Sequence, residues 1–126
     1  MYRRHLGAIA LAAALTLGAC ASMAEPPAKT ADGVLVGANG MTLYTFDRDM
    51  AGSAKSVCNG PCATNWPPLM ADDGAVASGD WTVVTRDDGK KQWAYKGKPL
   101  YFWSKDGKPG DRTGDGVINA WRVAKP

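Results

Sequence analysis

The chain has 126 residues, 15 Lys+Arg, 12 Asp+Glu and one His, for a net charge of +3. Arg3 and Arg4 sit in an N-terminal leader, and without them thirteen basic residues face twelve acidic ones, a net charge of +1. That balance argues against the broad basic surface of a nucleic-acid-binding protein, and the roughly 100 residues that remain suffice for one small domain.

Met1 to His5 carries Arg3 and Arg4, and Leu6 to Leu17 is apolar. This stretch is too short for a permanent membrane span and has the proportions of an export signal. Leu17-Gly18-Ala19-Cys20 resembles a bacterial lipobox, which makes residues 1–19 a lipoprotein signal peptide and Cys20 the lipidated N-terminus. The second reading is ordinary cleavage after Ala24, giving a soluble periplasmic product. Both readings leave Cys58 and Cys62 as the possible pair. Residues 20–32, rich in Ala, Pro and Lys, read as a flexible tether, and the domain is expected over 33–126.

Val34-Leu35-Val36 and Met41 to Phe46 flank Asn39-Gly40, the signature of a hairpin with a two-residue turn. Residues 52–68 are irregular, with a short helical turn possible around Ala63–Trp66. The run Trp66-Pro67-Pro68-Leu69 is expected outside any central strand, because proline lacks a donor. Trp81 to Arg86 and Lys91 to Tyr95 read as strands joined by Asp87-Asp88-Gly89. Lys96-Gly97 then turns into a strand over Lys98 to Trp103. Asp106 to Gly116 is a Gly/Asp loop, and Ile118 to Val123 is the last strand. Eleven of the twelve acidic residues are Asp, which favours turns over helix. Consecutive hairpins imply an all-β antiparallel fold, a small meander, sandwich or barrel-like domain.

Residues 40–49, Gly-Met-Thr-Leu-Tyr-Thr-Phe-Asp-Arg-Asp, recur at 97–106 as Gly-Lys-Pro-Leu-Tyr-Phe-Trp-Ser-Lys-Asp. The identities are Gly40/Gly97, Leu43/Leu100, Tyr44/Tyr101 and Asp49/Asp106. Gly60 and Trp66 follow the first copy as Gly116 and Trp121 follow the second. This predicts two half-repeats, about 33–70 and 81–124, each covering the apolar side of the other. Alternation along a strand puts Tyr44 and Phe46 on one face and Leu43 on the other, with Tyr101 and Trp103 opposed to Leu100 and Phe102. Asp49 and Asp106 fall just past the strand ends, where a carboxylate accepts turn N–H groups or the hydroxyl of a buried Tyr.

The doubled Tyr-x-(Phe/Trp/Tyr)-x-x-Asp pattern, carried by Tyr44, Phe46 and Asp49 and by Tyr101, Trp103 and Asp106, resembles the signature of a family of predicted bacterial lipoproteins, a secreted repeat of unknown function. Cys58-x-Gly60-x-Cys62-Ala63, Trp66-Pro67-Pro68-Leu69, Gln92 to Gly97 and Pro109-Gly110-Asp111 extend the resemblance over residues 33–124. It implies export, usually with lipidation, and no established biochemical activity.

In an oxidising compartment Cys58 and Cys62 read as a structural disulfide, since Gly60-Pro61 can turn the chain back on itself. Their Cys-x-x-x-Cys spacing also resembles the copper-binding pair of a class of copper chaperones. Those proteins add a His, however, and the single His here is His5, inside the leader. Met41, Met50 or Met70 would have to complete a Cu(I) set. Asp106, Asp111 and Asp115 form a weak alternative site for Ca²⁺, although Lys108 and Arg112 offset their charge. Asp49 and Asp106 could serve as a hydrolytic carboxylate pair only if they shared an open cleft. The aromatic rows, with Lys98 or Lys105, could grip a ligand, but core packing uses them better. No nucleophile elbow or phosphate loop is present in the sequence, so the expectation is a non-catalytic envelope protein without a cofactor. It would be held at the membrane by lipid on Cys20 and would bind an unknown envelope protein or small ligand, with copper or thiol-redox work at Cys58 and Cys62 as the alternative.

Overall fold

A computed structural model describes residues 26–126. The leader, Cys20 and Ala24 lie outside them. The described chain is mostly short antiparallel strands with one small helix: β1 (Lys29–Ala31), β2 (Val34–Val36), β3 (Tyr44–Phe46), α1 (Pro61–Asn65), β4 (Met70–Ala71), β5 (Trp81–Thr85), β6 (Lys91–Tyr95), β7 (Lys98–Pro99) and β8 (Trp121–Val123). β1 lies within the segment read as tether and pairs with β2, so ordered structure begins ahead of Gly33. The turn joining them, Asp32-Gly33, has positive φ at both residues (50° and 80°), and Lys96-Gly97 between β6 and β7 repeats it (49° and 80°).

The turn at Asn39-Gly40 differs from the two-residue form expected. Only Gly40 has positive φ, and the Gly40 N–H closes on the Gly37 carbonyl at 2.9 Å. The extra residue makes this a three-residue loop with a bulge. The strand expected over Ile118 to Val123 is also shorter. Val117–Asn119 forms a 3-10 turn and only Trp121–Val123 is extended. Gly116 at φ 82° reverses the chain there and leaves Ile118 72% exposed.

The two halves are interleaved rather than laid side by side. β5, β6 and β7 form the expected meander, but β3 pairs with β8, from the other half. Reciprocally, the end of the first half inserts into the second: Phe102 donates to the Pro67 carbonyl, and Met70–Ala71 pairs with β6. The Trp66–Leu69 run therefore lies between strands, contrary to the proline argument. The ladder uses the Pro67 carbonyl and the Leu69 N–H, so the missing proline donors are never required.

Each half closes in a triangle of backbone hydrogen bonds. Leu35 donates to Ala124 (2.9 Å), Ala124 to Leu43 (2.8 Å) and Leu43 to Leu35 (3.0 Å). The counterpart runs from Trp93 to Leu69 (2.8 Å), Leu69 to Leu100 (2.9 Å) and Leu100 to Trp93 (3.0 Å). In both, two corners come from one half and the third from the closing segment of the other. Between the triangles Tyr44 and Tyr101 exchange two backbone hydrogen bonds, at 2.8 and 3.0 Å, which marks a local two-fold relation between the repeats.

Two cores result. Tyr44, Phe46, Cys58, Trp66, Tyr101, Ala120 and Trp121 form one, with Trp103 packed on it. Ala28, Leu35, Leu43, Leu69, Leu100 and Ala124 form the other, with Phe102 against it. Side-chain alternation in the motif strands thus separates an aromatic core from an aliphatic one.

Candidate functional site

The motif residues converge, but the Tyr and Asp within one copy do not pair with each other. The Tyr44 hydroxyl donates to Asp106 Oδ2 at 2.6 Å, and the Tyr101 hydroxyl donates to Asp49 Oδ2 at 2.5 Å. The hydroxyl of each repeat is held by the carboxylate of the other. The second oxygen of each Asp fastens the loop that follows its own strand: Asp49 Oδ1 accepts the Val57 N–H (2.7 Å), and Asp106 Oδ1 accepts the N–H (3.0 Å) and hydroxyl (2.6 Å) of Thr113. Each phenol oxygen also accepts one bond, Tyr44 from the Gly114 N–H (3.2 Å) and Tyr101 from Ser56 Oγ (2.6 Å).

These groups are out of water. Tyr44 and Tyr101 are fully buried, Asp49 is 6% exposed and Asp106 is 8% exposed. Burial, reinforced by the hydrogen bond to a carboxylate, pushes both phenols far above their usual range. Burial also raises Asp49 above the ordinary carboxylate value, against the lowering effects of its bonds from Tyr101 and Val57 and of the Arg86 guanidinium. Arg86 is itself buried. Its Nη1 donates to Ser56 Oγ (2.9 Å) and Gln92 Oε1 (2.8 Å), and its Nη2 to the Cys58 carbonyl (2.6 Å). Nothing in the sequence singled out Arg86, because an Arg at a strand end ordinarily reaches solvent.

Above the tyrosines four rings stack in one column. Trp103 lies on Trp66 (centroids 3.9 Å apart, 27°), Trp66 on Trp121 (3.7 Å, 2°) and Trp121 on Phe46 (4.2 Å, 8°). The inner pair, Trp66 and Trp121, are repeat equivalents, as are the outer pair, Phe46 and Trp103. Each end carries a cation: Arg48 Cζ is 5.9 Å from the Phe46 ring centre and Lys105 Nζ is 5.6 Å from that of Trp103. The tyrosines meet the column edge-on, Tyr44 against Trp66 (5.4 Å) and Tyr101 against Trp121 (5.1 Å). The aromatic rows therefore pack as core, with Trp103 partly exposed at one end.

Cys58 and Cys62 are joined as a disulfide with Cα atoms 5.2 Å apart, tying the loop before α1 to the helix's first turn. The bond occupies both sulfurs that Cu(I) would need. Met50 is 76% exposed and Met70 46% exposed. The calcium alternative fails on geometry. Asp106 faces Tyr44 and Thr113, Asp111 Oδ2 accepts the N–H groups of Gly107 and Lys108, and Asp115 Oδ1 accepts the Val123 N–H. The Gly107 N–H, with the Lys108 ammonium, holds Asp111 below its ordinary pKa. Among the described residues no three His, Cys, Asp or Glu side chains gather as a metal set. Asp49 and Asp106 each close within their own loop, so the shared open cleft of a hydrolytic pair is not formed.

An open cleft of about 710 Å³ does exist elsewhere, lined by Pro26, Pro27, Met70, Val76, Trp81 and Trp93 among others. Trp81 meets Trp93 edge-on (6.2 Å) and leans on Tyr95 (4.8 Å), so the wall is aromatic and braced by the aliphatic core. Its signal in the sequence was the alternation of Trp81, Trp93 and Tyr95 in two adjoining strands.

Among the described residues no helix is long and apolar enough to cross a membrane. No match was found among curated proteins or solved structures. The family model described as a secreted repeat of unknown function matches twice, over residues 27–70 and 82–125. The two matched copies are the halves that exchange closing segments and trade hydroxyl for carboxylate across the aromatic core, and the chain belongs to that family of secreted repeats.

Proposed function

We propose that the protein is a lipid-anchored module of the cell envelope that binds a small ligand with an apolar face and does not act as a hydrolase. The observation that carries this reading is the aromatic cleft. An open concavity walled by Trp81, Trp93, Met70 and Val76 is the form a binding site for an apolar group takes. Val76 is 78% exposed and Met70 46%, apolar surface that the fold itself leaves uncovered. Pro26 and Pro27 form part of the rim, and Cys20 lies six residues before Pro26. A lipid on Cys20 would hold the cleft close to the bilayer, where apolar ligands and envelope partners concentrate.

Asp49 and Asp106 speak against hydrolysis. Both are buried, and both oxygens of each already accept hydrogen bonds, so neither is placed to serve a substrate. The test is intact-mass spectrometry of protein purified from membranes, followed by tryptophan-fluorescence titration with extracted envelope lipids and apolar metabolites. Diacylglyceryl mass on Cys20 and a titration lost in Trp93→Ala are the expected results. A mature mass beginning at Glu25 without lipid removes the anchor, and a titration unchanged in Trp81→Ala and Trp93→Ala removes the cleft.

A further inference from the structure

The aromatic column and the two hydrogen-bonded tyrosines make one connected unit. We propose that this unit is a redox relay, in which an oxidising equivalent taken up at Trp103 passes along Trp66 and Trp121 and comes to rest on Tyr44 or Tyr101 as a neutral tyrosyl radical.

The indoles of Trp103, Trp66 and Trp121 are in face-to-face contact at centroid separations of 3.9 and 3.7 Å. Electron exchange between π systems depends on orbital overlap, and stacked rings at van der Waals distance provide it. Trp103 is the partly exposed member, whereas Trp66 and Trp121 are 4% and 1% exposed. A soluble oxidant therefore meets the column at Trp103. From Trp66 the path branches to Tyr44, and from Trp121 to Tyr101, each through an edge contact.

The charges around the unit set the direction. Lys105 lies over Trp103 and Arg48 over Phe46, so positive charge is disfavoured at both ends. The carboxylates of Asp106 and Asp49 lie at the tyrosines and favour it there. A phenol becomes a good electron donor only when its proton has somewhere to go, and each hydroxyl already points at a carboxylate oxygen. Burial makes protonation of Asp49 less costly than in water. The donor on each phenol oxygen, the Gly114 N–H or the Ser56 hydroxyl, stays in place to support the phenoxyl oxygen.

A one-electron oxidant, such as an oxidising radical or a metal complex in its higher state, removes one electron from Trp103 and leaves an indole radical cation. An electron moves outward from Tyr44 through Trp66, or from Tyr101 through Trp121 and Trp66, and restores the indoles. The phenolic proton transfers to Asp106 Oδ2 or Asp49 Oδ2, leaving a neutral tyrosyl radical and a protonated carboxyl. A one-electron donor such as ascorbate or a thiolate reduces the phenoxyl, and the proton returns from the Asp. The net change is one electron moved from donor to oxidant, with the protein unaltered.

The test is flash oxidation of the mature protein by photogenerated tris(bipyridine)ruthenium(III), followed by transient absorption and electron paramagnetic resonance. Tyr44, Tyr95 and Tyr101 are the tyrosines after Cys20, which makes the radical assignable. The expected result is a tryptophanyl signal that decays as a tyrosyl signal rises. That tyrosyl signal persists in Tyr95→Phe and is lost in the Tyr44→Phe/Tyr101→Phe double variant, where the tryptophanyl radical lives longer. Trp103→Leu, at a partly exposed position, should lower the tyrosyl yield without unfolding the chain. Oxidation that stops at tryptophan in the wild-type protein overturns the proposal. So does a tyrosyl signal abolished by Tyr95→Phe alone, and that variant decides the question even if the double variant does not fold.

Discussion

Replacing Tyr101 by Phe removes one hydroxyl and tests the exchange between repeats directly. The ring remains, so its contact with Trp121 and its burial are kept, while Asp49 Oδ2 loses its donor and the Ser56 hydroxyl loses its acceptor. A hydrogen bond to a charged group contributes about 1.5–3 kcal/mol, and the bereaved oxygen is buried, so the expected loss at neutral pH is about 2–3 kcal/mol. The loss should also depend on pH. Asp49 is already raised above its ordinary value of 3.8, so folding favours its protonated form. That contribution is complete below the ordinary carboxylate range and is lost as pH rises through the folded-state value. The Tyr101 bond lowers the Asp49 pKa, so removing it moves the folded value further up and extends the decline in stability to higher pH. Urea unfolding of both proteins across a pH series measures this. The difference between them should be largest at neutral pH and shrink in acid, where Asp49 is protonated in both states. A double-mutant cycle completes the argument: Tyr101→Phe should couple to Asp49→Asn by about 0.5–3 kcal/mol and add independently to Asp106→Asn. A loss under about 0.5 kcal/mol, or one equal at acid and neutral pH, refutes the reasoning.

Replacing Cys58 and Cys62 by Ser should lower unfolding free energy by about 2 kcal/mol, the value for so short a loop, and leave the aromatic circular dichroism of the folded protein unchanged. Because Cys58 is fully buried, the native disulfide should resist mild reductant and yield only with unfolding, as thiol labelling would show. Gly114→Ala places a methyl 2.9 Å from Trp66 Cη2 and from the Tyr44 ring, and should cost about 1–3 kcal/mol in chemical denaturation. Arg86→Lys retains the charge but cannot reproduce the fork that serves Ser56, Gln92 and the Cys58 carbonyl. The expected loss is about 1–3 kcal/mol for each acceptor left unpaired, and a thermal midpoint equal to wild type would refute the network.

What was legible in the sequence followed from local geometry. Alternation along a strand separated Tyr44 and Phe46 from Leu43, and the two cores keep that division. The position of Asp49 and Asp106 past their strands marked them as acceptors, which they are. The identity of the donors was not legible, because a repeat presents each Asp with two equivalent tyrosines, and only the crossing of β3 with β8 selects the distant one. The Trp66-Pro67-Pro68-Leu69 run was misplaced for a related reason. Proline is excluded from a ladder only where its own N–H is required, and the register, a tertiary property, starts donation at Leu69. Arg86 was invisible because its partners Ser56 and Cys58 lie about 30 residues away in an irregular segment. Among the described residues no buried side-chain nitrogen or oxygen lacks a partner, so these long-range bonds complete the polar interior.

The exchange of closing segments explains why the repeat comes in two copies on one chain. A single half would carry two corners of its backbone triangle and leave the third position empty, exposing the Leu43 carbonyl and the Leu35 N–H, or the Leu100 carbonyl and the Trp93 N–H. It would also hold a Tyr without a carboxylate, an Asp without a hydroxyl and half of a ring stack. Each deficit is met by the same element of the other copy, so the gain from the second half is shared among backbone, polar and aromatic contacts at once. What the copies do not share is the segment between the motif Asp and the central Trp. The first, stapled by a disulfide and held at Ser56 by Arg86 from the other half, brings the Val57 N–H to Asp49, and the second brings the Thr113 N–H to Asp106 from a glycine-rich loop whose Gly114 N–H donates to Tyr44. Two unlike loops that satisfy the same carboxylate place the structural constraint on the Tyr–Asp exchange and the ring column, and leave the intervening chain free to differ.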